Sequence, residues 1–166
     1  MKKLLFFFLL GIASAEVGAQ NVPSSITSTR VFATGAGVMG IFEGRCPCQE
    51  LATLLKASVS AECFKTKWSL TLLQDPQTRQ PTTYELDGSF YRANRRKGSW
   101  SIVQGTKNDP NTVVYQLESD NPDETVYLMK GDENVLFFLD KNKNLLVGNE
   151  LFSYTLNRVE RKIKTD

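Results

Sequence analysis

Apolar and polar positions alternate through most of this chain. From Gly35 onward, short runs rich in β-branched and aromatic residues recur, each ended by turn-forming residues, and a period of two marks half-buried strands. Val38 to Phe42 is the first run, and Trp68, Leu70 and Leu72 alternate in a second that ends at Asp75-Pro76. Tyr84, Leu86 and Phe90 mark a third, after which Arg95-Arg96-Lys97-Gly98 reads as a polar turn into Trp100 and Ile102. The turn Asn108-Asp109-Pro110-Asn111 precedes Val113, Tyr115 and Leu117, and Asn121-Pro122-Asp123 separates these from Val126 and Leu128. Gly131 to Asn134 leads into Val135 to Leu139. Beyond the turn at Asp140 to Asn144, Leu145 to Val147 and Phe152 to Leu156 complete the series.

About eight or nine strands at a spacing of roughly ten residues predict an all-β antiparallel meander, a sandwich or a barrel. The connections are too short for parallel crossovers. One segment breaks the alternation. Gln49 to Lys56 places Leu51, Leu54 and Leu55 on one face at helical spacing, which predicts a short helix lying across one end of the barrel.

The start of the chain has a different pattern. Met1-Lys2-Lys3 is basic, Leu4 to Ile12 is apolar, and Ala13-Ser14-Ala15 offers small residues for cleavage, as in an export signal. Val17-Gly18-Ala19 is a second acceptable site. Residues 1–19 are therefore expected to be a signal peptide, with cleavage after Ala15 as the alternative. Residues 20–34 read as a flexible leader, 35–160 as the barrel domain and 161–166 as a basic tail. The apolar run is much shorter than the ~20 residues that span a bilayer, and no later one is longer. No Cys follows it closely, so neither a membrane span nor a lipid anchor is expected, and the destination is periplasmic or extracellular.

Cleavage after Ala15 removes Lys2 and Lys3, so Lys+Arg falls from 20 to 18 against 18 Asp+Glu, and the net charge falls from +2 to zero. No footprint for nucleic acid remains. The chain has no His, which removes the usual general base near neutral pH and the commonest metal ligand.

Gly40-Ile41-Phe42-Glu43-Gly44-Arg45-Cys46-Pro47-Cys48, then Gly98-Ser99-Trp100-Ser101-Ile102, then Val135 to Asp140 and a closing strand, resemble the N-terminal domain of the copper-resistance lipoprotein NlpE. The likeness covers about Val38 to Arg158. Its most specific element is Pro47-Cys48 shortly after a strand ending in Gly44. The resemblance implies a compact, lipocalin-like antiparallel meander barrel of about eight strands, located in the bacterial envelope and linked to copper or envelope-stress sensing. The family places its second Cys as Cys-x-x-Cys, whereas Leu51 stands at that position here and the next cysteine is Cys63.

Three cysteines in an exported chain suggest one disulfide and one thiol, or a link between chains. Cys48 with Cys63 is the favoured pairing. It closes a loop of about fifteen residues around the helix and contributes about 3 kcal/mol in the chain-entropy account. Cys46 with Cys63 is the alternative, while Cys46 with Cys48 would close a strained ring. A competing use takes Cys46, Cys48 and Cys63 as a soft thiolate set for copper as Cu(I), with Met39 and Met129 as distant thioethers.

Asp140-Lys141-Asn142-Lys143-Asn144 begins like a calcium loop but lacks the later Gly and acid, and reads as a hairpin turn. Arg92, Arg95, Arg96 and Lys97 read as a solvated hairpin tip. No sequence motif joins Glu43, Glu62 and Asp87 as an acid and base, so no catalytic set is expected and the protein is read as non-enzymatic. Trp68, Tyr84, Trp100, Tyr115 and Phe138 are expected to pack inside the barrel. Were it hollow, they would instead line a pocket for a small apolar ligand.

Overall fold

A computed structural model describes residues 37–91 and 95–159. The predicted signal peptide, leader and basic tail lie outside the described residues. Eight strands follow one another in order: β1 (Val38–Pro47), β2 (Lys65–Gln74), β3 (Pro81–Gly88), β4 (Arg96–Gln104), β5 (Val113–Leu117), β6 (Val126–Lys130), β7 (Val135–Leu139) and β8 (Thr155–Arg158). Each pairs antiparallel with the next, and β8 returns to β1 through Phe42–Arg158 and Glu43–Asn157, closing the barrel. Closure leaves no long free sheet edge. One helix, α1 (Cys48–Leu54), follows β1 directly. Among the described residues no helix is long and apolar enough to cross a membrane.

The interior is built from alternate residues of each strand. Phe42, Leu70, Leu72, Tyr84, Leu86, Leu117, Leu128, Leu136, Phe138 and Leu156 are fully buried in one cluster. Each such Leu or Phe contributes about 1.5–3 kcal/mol relative to an exposed position. Trp68, Trp100 and Tyr115 join them, with Trp68 against Phe138 at 4.9 Å and Trp100 against Tyr115 at 5.1 Å between ring centroids, both edge-on. All five predicted interior aromatics are thus inside.

The antiparallel order sends alternate connections to opposite ends, and the two longest, 48–64 and 140–154, share one of them. Residues 48–64, 118–125 and 140–154 emerge at one end, here called the cap end, where β3 also ends, and 75–80, 105–112 and 131–134 join the strands at the other. Helix α1 closes the cap end by burying Cys48, Leu51 and Ala52, with Leu55 buried just past its end and Leu54 partly buried, as the spacing predicted. The helix has no side-chain N-cap and is too short to persist alone. It ends where Lys56 takes a left-handed backbone, φ 52°. Its order comes from packing and from the bridge described below.

Several readings of the sequence need correction, among them the ends of two strands: Phe90 lies beyond β3, and β8 begins at Thr155 rather than Phe152 and runs on to Arg158. β1 runs on to Pro47 rather than stopping at Phe42, because Gly44 and Cys46 occupy its next inward positions. Arg96, Lys97 and Gly98 lie in β4 instead of a turn. Arg96 is partly buried, and its guanidinium is satisfied there by Tyr91 Oη at 3.2 Å and the Glu124 carbonyl at 2.8 Å. Gly98 leaves room for the Tyr84 ring, 2.9 Å from where a Cβ would stand. Leu145 to Val147 form no strand. Only Leu145 bridges Leu139, because the place beside β7 is taken by β8.

Candidate functional site

Chemistry-bearing residues gather at the cap end. Cys48 and Cys63 are joined in a disulfide with Cα atoms 5.7 Å apart, closing the loop that carries α1. Gln49 organises the same loop, its side-chain amide reaching the carbonyls of Ser60, Ala61 and Cys63 at 2.8, 3.0 and 3.1 Å. Cys46 is the remaining thiol and is fully buried inside β1. Burial pushes its pKa up to about 12, against a smaller lowering by a backbone hydrogen bond with Thr155. With Cys48 and Cys63 bonded to each other, the sequence-predicted set of Cys46, Cys48 and Cys63 supplies one thiol rather than three thiolates. No group of three His, Cys, Asp or Glu is placed for a metal ion among the described residues.

Beside Cys46 the mouth of the barrel is polar. Tyr154 Oη donates to a Glu50 carboxylate oxygen on α1, tying the 140–154 connection to the helix. Burial and that carboxylate raise the Tyr154 pKa above the ordinary tyrosine range. Thr66, the register partner of Cys46, and Trp68, the next inward residue of β2, each bury a polar atom, Oγ1 and Nε1, without a hydrogen-bond partner among the described residues.

The outer wall near this end carries a groove of about 640 Å³, lined by Glu43, Gly44, Arg45, Lys67, Trp68, Ser69, Asp87, Gly88, Leu151 and Phe152. The strand wall supplies the charged residues and the 140–154 connection supplies the apolar lip. Leu151 is 76% exposed and Phe64 62% exposed, and the Phe64 ring lies 6.1 Å from that of Phe152. A smaller groove of about 310 Å³ runs past Cys63, Phe64 and Asn149 on the disulfide side.

The remaining candidates are accounted for by local contacts. Glu43 accepts a hydrogen bond from Ser69 at 3.1 Å, and Asp87 pairs with Arg95 at 3.5 Å. Glu43 and Asp87 share the groove, and Glu62 lies in the smaller one. Arg95 and Lys97 both pair with Glu85, and together with its hydrogen bonds they draw that carboxyl below the usual range. Arg92 lies outside the described residues. Asp140 accepts from the backbone of Asn142 and Asn144 and from the Asn144 side chain, all at 2.8 Å, so its carboxylate shapes the turn. Met39 and Met129 are partly buried and lie on different strands.

Sequence reasoning missed the groove. Its residues come from four separate segments, β1, β2, β3 and the 140–154 connection, so no local pattern in the chain marks it. No protein-family description, curated protein or solved structure matches the chain.

Proposed function

We propose that the protein is an exported, non-enzymatic envelope protein of the NlpE-like kind, and that it works by binding a ligand on its outer wall. The carrying observation is the contrast between the two faces of the sheet. Inward side chains fill the lumen to the point that Leu70, Tyr84, Leu86 and Phe138 have no accessible surface, as suits an eight-stranded barrel. The outer wall carries the 640 Å³ groove, within the size range of small-molecule sites. A carrier role with the ligand inside the lumen would need those rings to move, so the groove serves the binding role better.

Export is supported by the signal-like start and by a disulfide, which persists in oxidising compartments. The copper form of the reading requires the Cys48–Cys63 bond to be reduced before Cys46, Cys48 and Cys63 could act together. Native mass spectrometry of the oxidised and reduced protein with copper tests it. Uptake only after reduction keeps the sensor reading, and none in either state removes it.

For the binding role the test is amide chemical-shift mapping with a panel of small amphiphiles. Shifts clustered at Gly44, Lys67, Gly88 and Phe152 are expected. Saturable binding with shifts elsewhere, or no binding by any member, ends the groove assignment.

A further inference from the structure

The groove's charges are not equivalent. Its two carboxylates are engaged, Glu43 by Ser69 and Asp87 by Arg95. Its two cations are not: Arg45 and Lys67 make no ion pair with any described residue, whereas Lys56, Arg95, Lys97 and Lys130 all do. Arg45 and Lys67 also stand directly opposite each other in the β1–β2 register, on the outer face and exposed. Like charges facing each other across a strand pair destabilise the sheet, and an anion between them would relieve that repulsion. The lip over the same groove is apolar, through Leu151 and Phe152.

We propose, building on the groove reading above, that the groove takes an anionic amphiphile. The anionic head, a carboxylate or a phosphate, sits between the Arg45 guanidinium and the Lys67 ammonium, and the alkyl or aryl body lies under Leu151 and Phe152. The fork of Arg45 matches either head in two-point fashion, while Lys67 adds a compact charge. The groove binds one such molecule and cannot admit a tail to the filled lumen.

The test uses the mature, disulfide-bonded protein with decanoate, decyl phosphate and neutral octyl glucoside below their micelle-forming concentrations, read by amide shifts and calorimetry. Both anions are expected to shift groove amides and to bind at least about tenfold more tightly than octyl glucoside. Whichever anion binds more tightly identifies the head. The exposed double variant Arg45→Ser/Lys67→Ser should not lower the thermal midpoint, since it removes the facing like charges, and should lose at least about tenfold in anion affinity. Equal binding of octyl glucoside, with the double variant unaffected, overturns the anion assignment while leaving the groove as a ligand site. No groove shifts with any of the three overturns both readings.

Discussion

The two ends of the barrel are closed by different means. At the cap end a helix, a disulfide and two long connections cover the opening with Leu51, Leu55 and the Tyr154–Glu50 contact. At the opposite end the turns are short and one side chain plugs the mouth. Arg158 is buried; its Nε donates to the Glu133 carbonyl at 2.6 Å, its Nη1 to the Met39 carbonyl at 2.8 Å, and its guanidinium lies 4.7 Å from the centroid of the Phe42 ring. Gly40 makes this possible, because a Cβ there would come within 2.3 Å of Nη1. A mouth closed by one charged plug tolerates little change, whereas a mouth closed by a helix and long connections has outer surface to spare. The candidate groove lies at the second kind.

That contrast is sharpest at Arg158. Arg158→Ala removes a buried guanidinium together with its hydrogen bonds to the Glu133 and Met39 carbonyls and its contact with the Phe42 ring, so a loss of about 4 kcal/mol in urea-unfolding stability is expected. A loss below that of the bridge would reverse the ranking of the two ends. Replacing the bridge by Cys48→Ser/Cys63→Ser should cost about 3 kcal/mol for its fifteen-residue separation. The damage should be local. Hydrogen exchange should quicken in 48–64 and stay slow at Leu136 and Leu156, and uniform quickening would show that the cap is not a separate unit.

The buried thiol gives a smaller effect with a defined pH window. Cys46 has a raised folded-state pKa, up from 9.0 to about 12. Its neutral form is therefore favoured by folding, and the stabilisation is complete below pH 9 and lost as pH rises toward about 12. Tyr115, also pushed up by burial to about 12, adds to the same alkaline loss. Cys46→Ala should move the onset of alkaline unfolding upward, and in the native protein at pH 8 iodoacetamide should leave Cys46 unmodified over hours. Rapid labelling would show that the cap end opens freely. The smallest change is expected at the groove lip: Leu151→Ser should alter stability by less than about 0.5 kcal/mol, since the side chain is 76% exposed. A larger loss would make Leu151 part of the core.

Much of the architecture could be read from the chain because burial on one face imposes a period of two. Leu70–Leu72, Tyr84–Leu86 and Leu136–Phe138 each report their strand directly. The period fails where an inward position is not apolar. Gly44 ends the visible pattern of β1, and Arg96 and Gly98 make the first half of β4 resemble a turn. Leu145 to Val147 show the opposite error, since an apolar run becomes a strand only if a neighbour's backbone is free to pair with it. For the candidate site, the Cys48–Cys63 bond was accessible through loop length and compartment, but the groove was not.

By itself the sequence determined the all-β class, the number and order of most strands, the capping helix and the favoured disulfide, because each rests on local periodicity or on short loop closure. Only the tertiary structure decided which end the long connections share, that Arg158 plugs the other end, and that Arg45 and Lys67 meet across β1 and β2 beneath Leu151. Those facts depend on register and on contacts between distant segments. A shift of one residue would have turned Arg45 inward, and nothing local to Arg45 records the choice.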